Sequence, residues 1–336
     1  MEKTIIVVNV LLLICINAGC ADKIEEIKKN ASIRIVLNPW PGYAHLFIAK
    51  EKGYFKENNV DIELVFKEDA TISRETYKNG EVDGICMLLP DVIMLNVQNI
   101  PTKIVYVADY SNTGDVIIGR DNYNSLTDLK GKTVSFEGIN TFSHMFVLKA
   151  LENVGLSEID VRFKNVIAGD VLKALKEGRI DAGHTWSPTK VKALNAGYKI
   201  LGTAGDTPGV ITDVLAFSSK VIKKRPAKIL AVVKSILQAR AFVHTNKQEA
   251  IAIMAKAESM SEAEMLDGID GVYQPDLQGN VEAMKKKENM TSIYYSGEHV
   301  VRFFLNRGQL SHEPNLDEMI EPGFINELAG NQIIKK

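Results

Sequence analysis

Aromatic, acidic and hydroxyl side chains that could hold a small molecule follow the predicted strands of this chain. Trp40 and Tyr43 lie directly after the first strand, where Pro39 and Pro41 stop any regular structure. Ligands of open α/β sheets bind in the crevice outside the carboxyl ends of the strands. The sequence therefore predicts a binding site on loops, made of Trp40, Tyr43, Asp109, Tyr110, Ser111, Asn112, Glu137, Asn140, Thr141, Ser143, His144, Thr185, Trp186 and Asp213.

The polarity of this set indicates which ligand it would bind. Asp109, Asp115, Glu137 and Asp213 are acidic, and no Arg or Lys lies on the same loops. Carboxylates beside aromatic faces favour a cationic or amine-bearing ligand through charge pairing and cation–π attraction. Two tryptophans from opposite lobes would sandwich a small flat or methylated group.

A helix amino end adds a second kind of contact. Thr141 and Ser143 lie where a helix is predicted to begin, and free backbone N–H groups there suit an anionic or polar tail. A zwitterion such as taurine would use both ends of such a site. The sequence therefore favours a small organic nitrogen compound over a bare inorganic anion.

Several members of the set also have a structural interpretation. Trp40 and Tyr43 would cap the core, and Thr141 would only cap its helix. Ser111 and Asn112 would be turn residues. His144 and His184 would be structural histidines held by hydrogen bonds. We expect only part of the set to contact ligand.

The sequence carries none of the short motifs that mark common enzyme classes. It has no phosphate-binding loop of the NTPase type, no dinucleotide-binding glycine motif, and no HExxH, CxxC or GxSxG. The six histidines are scattered singly, so neither a metal site nor a cofactor is predicted. Cys86 lies in an apolar run without a neighbouring base, which predicts a buried, inert thiol.

The composition is that of an ordinary soluble globular protein. The chain has 336 residues, of which 46% are hydrophobic and 24% are charged. At this length two lobes are expected rather than one. The net charge of −2 and the pI near 6.3 give no electrostatic surface for nucleic acid, so no such partner is expected.

The amino end has the pattern of an export signal. Residues 1–19 combine an early cation, an apolar run from Ile5 to Ile16, and small residues ahead of Cys20. The run is short for a membrane-spanning helix. We therefore expect a protein that is exported to the periplasm or to the outer face of the cytoplasmic membrane.

The end of this signal resembles a bacterial lipobox. Ala18, Gly19 and Cys20 imply cleavage before Cys20, a diacylglycerol on its thiol, and a charged tether over residues 20–30. The resulting acyl chains would anchor the protein to the membrane. Asn17 departs from the usual Leu, so ordinary cleavage near Ala21 is the alternative.

Strand and helix patterns alternate from residue 31 onward, which predicts βαβ units and an α/β fold. One pattern occurs twice, as KNGEVDG at residues 78–84 and as KEGRIDA at residues 176–182. Each glycine is predicted to end a helix in a left-handed cap, and each aspartate to begin the turn into a strand. We interpret the repeat as two lobes of like topology that face each other across a cleft. Chance similarity of two turns is the alternative.

The order of these elements predicts how the chain is divided. Lobe one is expected to be discontinuous, and the predicted units are residues 31–120 and 210–325 for lobe one, 121–209 for lobe two and 326–336 for a tail. Two crossings between the lobes are predicted to form a hinge that closes them around ligand.

Five segments together resemble a known family. They are WPGY at 40–43, AKEKGYF at 49–55, DYSNTGD at 109–115, DLKGKTVSFEG at 128–138 and HTWSP at 184–188. Over about residues 31–245 the chain resembles the substrate-binding proteins of nitrate, sulfonate, taurine and thiamine-precursor ABC importers. The resemblance implies a two-lobed periplasmic-binding-protein fold of type II. Each lobe would be a mostly parallel sheet flanked by helices, with two hinge crossings.

The resemblance also implies partners and a function. We expect a monomeric solute-binding lipoprotein that delivers an amine, a zwitterion or a pyrimidine to an ABC permease and ATPase. A sensory receptor subunit of the same fold is one alternative. The other is an enzyme similar to the thiamine-pyrimidine synthases. Those enzymes are marked by a cysteine-rich stretch, so the lone Cys86 and the export signal argue against this alternative.

Overall fold

The computed structural model describes residues 31–68 and 70–333. The export signal predicted at 1–19, the lipidation predicted at Cys20 and the tether over 20–30 lie outside these residues. Within them, the strands are β1 (Ile33–Leu37), β2 (Ile62–Phe66), β3 (Gly84–Leu88), β4 (Thr102–Ser111), β5 (Val116–Gly119), β6 (Thr133–Phe136), β7 (Arg162–Asn165), β8 (Ala182–Thr185), β9 (Lys199–Thr203), β10 (Thr212–Ser218) and β11 (Val272–Tyr273).

Helices connect these strands and form most of the carboxyl-terminal part of the described chain. They are α1 (His45–Glu51), α2 (Tyr54–Glu57), α3 (Ala70–Lys78), α4 (Leu89–Val97), α5 (Phe142–Asn153), α6 (Val171–Lys176), α7 (Thr189–Asn195), α8 (Ser219–Lys224), α9 (Pro226–Thr245), α10 (Lys247–Glu258), α11 (Glu262–Asp270), α12 (Leu277–Ala283), α13 (Ile293–Asn306), α14 (Leu316–Met319) and α15 (Gly323–Ile333). Among them, no helix has the length and apolar character that crossing a membrane requires.

Two sheets share one strand arrangement. The first has the order β11-β4-β10-β3-β1-β2 and the second has the order β7-β6-β8-β5-β9. In each sheet three neighbouring strands pair in parallel, namely β3, β1 and β2 in the first sheet and β8, β6 and β7 in the second. One reversed strand follows them: β10 lies between β3 and β4, and β5 lies between β8 and β9. The predicted α/β architecture of two sheets flanked by helices is confirmed. Each sheet is mixed because the chain returns through a reversed strand after it crosses between the lobes.

The repeated sequence pattern occupies equivalent positions in the two sheets. Gly80 follows α3 and Gly178 follows α6, and both have φ of 70°, the left-handed conformation that glycine adopts without strain. The following aspartates, Asp83 and Asp181, enter β3 and β8. Each accepts a backbone N–H from the parallel strand beside it, Arg34 N to Asp83 Oδ2 and Thr133 N to Asp181 Oδ2, both at 2.9 Å. Asp83 also pairs with Arg225, and Asp181 pairs with Arg120.

The two crossings between the sheets run side by side. Residues 112–115 join β4 to β5, and residues 204–211 join β9 to β10. Backbone hydrogen bonds connect them, since Gly205 N donates to Asn112 O at 2.7 Å and Ala204 N donates to Asp115 O at 3.0 Å. The Gly271 carbonyl, just after α11, accepts the amides of residues 112, 113 and 114 at 2.8 to 2.9 Å. The first crossing is therefore fixed to lobe one.

The strand β5 corrects one predicted boundary. The predicted division extends lobe one to residue 120 and so includes β5, but β5 pairs with β8 and β9 in the second sheet. Val116, Ile117 and Ile118 are fully buried there, which explains why a short apolar strand joins the lobe that follows it. The carboxyl end differs as well, because α15 runs through the predicted boundary between residues 325 and 326. The rest of the division into units stays a prediction.

Candidate functional site

A cluster of aromatic and acidic side chains lies where β1 ends. The short 3-10 turn Pro41–Tyr43 follows β1 and presents Trp40 and Tyr43 to the strands β4 and β10. Trp40 Nε1 donates to Asp109 Oδ2 at 3.0 Å, and the Tyr43 hydroxyl donates to Asp213 Oδ1. Asp109 and Asp213 are partners in the register of β4 and β10. The two acids are therefore neighbours, and each has its own aromatic donor.

Gly42 allows this loop to approach the acids closely. A Cβ atom at this position would lie 1.6 Å from Asp109 Oδ2 and 2.9 Å from Trp40 Nε1. No side chain fits at those distances, so only glycine keeps the hydrogen bond between Trp40 and Asp109 intact. Gly42 of the WPGY segment is thus a packing requirement of the acid cluster.

Burial changes the acidity of both carboxyl groups. Asp109 is fully buried, and burial raises its pKa to about 8, although the bond from Trp40 acts in the opposite direction. Burial and then the charge of Asp109 raise the pKa of Asp213 well above its ordinary value. Burial and the charge of Asp213 likewise raise the pKa of the Tyr43 hydroxyl. Near neutral pH the Asp109 carboxyl therefore favours its protonated form, from which a bound cation would displace the proton.

Three buried acids in or beside this cluster retain unpaired side-chain oxygens. Asp109 Oδ1, Asp115 Oδ2 and both carboxyl oxygens of Glu258 are buried without a well-formed hydrogen bond among the described residues. Burial raises the pKa of Glu258 to about 8, and the nearby backbone of Trp40 offsets this in part. A protonated carboxyl donates as well as accepts, so these oxygens become a set of acceptors only when a cationic ligand displaces the protons and supplies its own donors.

The wall from lobe two is built around His184. This residue lies in β8 and is fully buried. Its Nε2 lies 2.8 Å from Asp115 Oδ1, and its Nδ1 lies 2.6 Å from Ser143 Oγ. The Trp186 and Phe142 rings contact the imidazole at centroid distances of 5.4 and 5.7 Å. Asp115 therefore connects the crossing segment to this wall.

The two lobes also contact each other directly on one side of the crossing. Lys190 Nζ, buried at the start of α7, lies 2.7 Å from Asp267 Oδ2 on α11 and donates to the Thr113 carbonyl at 2.8 Å. The Ser187 hydroxyl donates to the same Asp267 carboxylate. Gly268 then packs against Pro41, since a Cβ there would lie 2.2 Å from Pro41 Cγ. This chain of contacts connects the Trp186 segment to the Trp40 loop.

Arg307 makes a second contact between the lobes. It follows α13 of lobe one and donates to Glu158 Oε1 at 2.7 Å and to Glu158 Oε2 at 3.0 Å. Arg307 Nε also donates to Asn140 Oδ1 at 2.7 Å. Burial and the charge of Arg307 lower the pKa of His144 to about 4. The two lobes are therefore in contact at two places in the described structure.

The predicted site residues separate into groups in the structure. Trp40, Tyr43, Asp109 and Asp213 form the acid cluster, and Ser143 and Trp186 lie on the lobe-two wall. The others have structural contacts: Tyr110 donates to Thr291 O, Ser111 Oγ accepts from Asp115 N, Asn112 lies in the crossing, Glu137 Oε1 accepts from Ala168 N, Asn140 and His144 contact Arg307, Thr141 caps α5 and Thr185 donates to Ala168 O. Their roles toward a ligand stay predictions.

Sequence reasoning missed four residues that contact or face these groups. Glu258 carries a helical signal, because Ile251, Met254 and Glu258 share one buried face of α10. Lys190, Asp267 and Arg307 carry no comparable signal, since each lies on an ordinary charged helix or helix end. Their importance depends on how the lobes meet. Arg307 and Lys190 also place cations beside predicted site loops that contain none.

Within residues 31–68 and 70–333, no group of three or more His, Cys, Asp or Glu side chains is placed to hold a metal ion. Cys86 is a free, buried thiol, and burial raises its pKa well above the ordinary value.

The fold matches that of solved solute-binding proteins. The periplasmic aliphatic sulphonate-binding protein SsuA from Escherichia coli superposes with a TM-score of 0.72 at 18% identity, over 86% of this chain and 97% of that one. The predicted two-lobed periplasmic-binding-protein fold is thus confirmed.

The sequence itself defines the family. Residues 40–250 match the family model described as NMT1/THI5 like, and the chain belongs to that family. It is 26% identical over 156 residues to a putative thiamine biosynthesis protein of Haemophilus influenzae, covering 46% of this chain and 49% of the relative. It is also 26% identical over 141 residues to the formylaminopyrimidine-binding protein of Halalkalibacterium halodurans, covering 41% and 43%. The matched segments thus span about half or less of these relatives.

Proposed function

We propose that this chain is an exported solute-binding protein that captures a small organic nitrogen or sulfur compound and delivers it to an ABC importer. The ligand would be an amine, a zwitterion such as taurine, or a pyrimidine. The membership in the NMT1/THI5-like family and the match to a sulphonate-binding fold support the binding role. An ABC permease and ATPase are the proposed partners, and the protein would act as a monomer without catalytic chemistry.

The hydrogen-bond polarity of the acid cluster carries the proposal for the ligand. The donors Trp40 Nε1 and Tyr43 O–H are each used by a buried acid of the protein itself. Asp109 and Glu258 retain oxygens without a hydrogen-bond partner, and these oxygens can only accept once a cationic ligand has displaced the carboxyl protons. An oxyanion offers only acceptors, whereas an amine or an aminopyrimidine offers the N–H groups that these oxygens lack. The relative that binds formylaminopyrimidine by name is consistent with this chemistry.

Closure would couple binding to delivery. Contacts from both lobes exist together only in the closed form, so ligand that touches both lobes favours that form by differential affinity. The cross-lobe pairs of Lys190 with Asp267 and of Arg307 with Glu158 are contacts of this kind. An importer would then receive the closed, loaded protein.

A thermal-shift screen tests the ligand class. The chain from Ala21 is heated with amines, pyrimidines, sulfonates and inorganic oxyanions, and mass spectrometry then checks that any bound compound is unchanged. A ligand at about a hundred times its dissociation constant stabilises a protein by about 2.7 kcal/mol. Stabilisation is expected from nitrogenous compounds. Stabilisation by nitrate alone would remove the charge argument and leave the family assignment in place.

Anchoring at Cys20 is a separate part of the proposal. The lipobox-like residues before Cys20 support it, and incorporation of labelled palmitate into the expressed protein tests it. The Cys20→Ser variant should lose the label and be released from the membrane. Equal labelling of both proteins would show that Cys20 is not the lipidated residue.

A further inference from the structure

Asp115, His184 and Ser143 form a continuous hydrogen-bonded chain from the crossing segment to the first turn of α5. Asp115 Oδ1 lies 2.8 Å from His184 Nε2, and Ser143 Oγ lies 2.6 Å from His184 Nδ1. All three side chains are buried. Each end has one more local hydrogen bond, because the backbone N of Asp115 donates to Ser111 Oγ at 2.9 Å and the backbone N of Glu137 donates to Ser143 Oγ at 3.0 Å.

We propose that Asp115, His184 and Ser143 form a proton-ordered relay that makes the Ser143 hydroxyl a hydrogen-bond acceptor toward the cleft. Lobe two would thereby select the N–H side of the ligand. The inference rests on the proposed binding function, and it assigns a specificity-determining role to Ser143 and positioning roles to His184 and Asp115.

The order of protons follows from the partners. A carboxylate at Asp115 only accepts, so it fixes the proton of His184 on Nε2 and leaves Nδ1 bare. The bare Nδ1 accepts the hydroxyl proton of Ser143. Ser143 Oγ also accepts the amide of Glu137, and with its proton used it has one acceptor position left.

The position of Ser143 relates this acceptor to the cleft. Glu137 is the first residue after β6, so Ser143 Oγ lies at the carboxyl end of that strand, beside the end of β8 that carries Trp186. This is the edge at which ligands of α/β sheets bind. Asp115 meanwhile faces the acid cluster, since its charge acts on both Asp109 and Asp213. Acceptors from both lobes would thus surround one donor-rich ligand.

The same residue types form nucleophilic triads in hydrolases. Here the Ser143 hydroxyl already accepts a backbone amide. A positioning relay accounts for these contacts without a chemical step.

The relay is tested by the tautomer of His184 in the full chain, labelled with ¹⁵N-histidine. The His184→Gln variant identifies the resonance by its loss. The proposal expects a protonated Nε2 and a bare Nδ1, and an Nδ1-protonated ring or an imidazolium would overturn it. Ser143→Ala should shift the Nδ1 resonance. Ser135→Ala is the matched control, because Ser135 is buried in β6 of the same lobe and its hydroxyl has no hydrogen-bond partner in the described chain.

The selection role is tested by titration with 4-amino-2-methylpyrimidine. Ser143→Ala is expected to weaken binding about fivefold, as for the loss of one neutral hydrogen bond, and Ser135→Ala should bind like the wild type. Equal affinities of wild type and Ser143→Ala, or no binding to either, would overturn the selection role. The tautomer is measured without ligand, so it distinguishes failure of the relay from failure of the proposed function.

Discussion

Asp109 and Asp213 face each other on neighbouring antiparallel strands, and each accepts a hydrogen bond from an aromatic side chain of the loop after β1. Two buried acids on paired positions of adjacent strands disfavour each other's ionised form. The pairing therefore makes a site that is stable when protonated and that gains most from a cationic or donor-rich partner. The predictions below follow from this relationship and from the contacts that close the lobes.

The first prediction concerns pH. The pKa of Asp109 is raised from 3.8 to about 8 by burial, so the folded protein binds more protons than the unfolded chain across that interval. The contribution of Asp109 to the free energy of unfolding of the empty protein should therefore be largest near pH 3.8 and should be lost as pH rises through about 8. The groups near Asp109 include Trp40, Tyr43, Cys86, Tyr106, Tyr110, Asp115 and Asp213.

Urea unfolding at about pH 5 and about pH 9 measures this dependence. Asp109→Asn should reduce the difference between the two conditions, while Glu258, whose pKa is also raised to about 8, accounts for part of what remains. If Asp109→Asn kept the full wild-type dependence, the acid cluster would not be its source.

The second prediction concerns the indole of Trp40. Trp40→Phe keeps an aromatic ring of smaller size and removes the donor to Asp109 Oδ2, which leaves a buried carboxyl without its hydrogen bond. The expected loss in the free energy of unfolding is about 1–3 kcal/mol. Trp186→Phe is the matched control, because it makes the same change on the opposite lobe without touching Asp109. Equal losses in the two variants would contradict a specific role for this bond.

The third prediction concerns closure. Arg307→Ala removes the pair with Glu158 and the bond to Asn140, so the empty protein should open more often. A partly exposed ion pair contributes about 0.5–1 kcal/mol, which corresponds to a several-fold shift in the equilibrium. Small-angle X-ray scattering should report a larger radius of gyration.

The control for closure is Arg302→Ala, which removes an exposed arginine from α13, the helix that Arg307 follows. This variant should scatter like the wild type. An unchanged radius of gyration in Arg307→Ala would show that this pair does not hold the lobes together.

The fourth prediction concerns the repeated module. Asp83→Ala and Asp181→Ala each remove the acceptor of a backbone N–H, with an expected cost of about 1–3 kcal/mol. Hydrogen exchange should show faster opening mainly in the lobe that carries the change. Faster exchange spread equally over both lobes would indicate that the two modules do not stabilise their lobes separately.

Local sequence patterns predicted the fold well. The alternation in β1, the proline that begins α9 and the glycines that end α3 and α6 each act within a few residues. The repeated pattern also predicted like topology in both halves. The boundary at residue 120 differed because β5 is too short to show which sheet it joins.

The candidate site was less predictable because much of it depends on distant contacts. Trp40 and Asp109 are 69 residues apart, and Arg307 and Asn140 are 167 residues apart. No periodicity connects such pairs. The sequence therefore predicted Asn140 and His144 as site residues, with a hydrogen-bonded structural role as the alternative for His144, and gave no sign of the arginine from the other lobe that lies beside both.

Calorimetric titration of wild type and Asp213→Asn tests the central claim most directly. Asparagine keeps the size of the side chain, whose burial in β10 makes Asp213→Ala a less specific test. The account predicts that the best nitrogenous compound binds the wild type, that nitrate and propanesulfonate do not, and that Asp213→Asn weakens binding about tenfold to a hundredfold, as for a hydrogen bond to a charged group. Tight binding of nitrate or propanesulfonate without binding of amines, or equal affinity in both proteins, would contradict it.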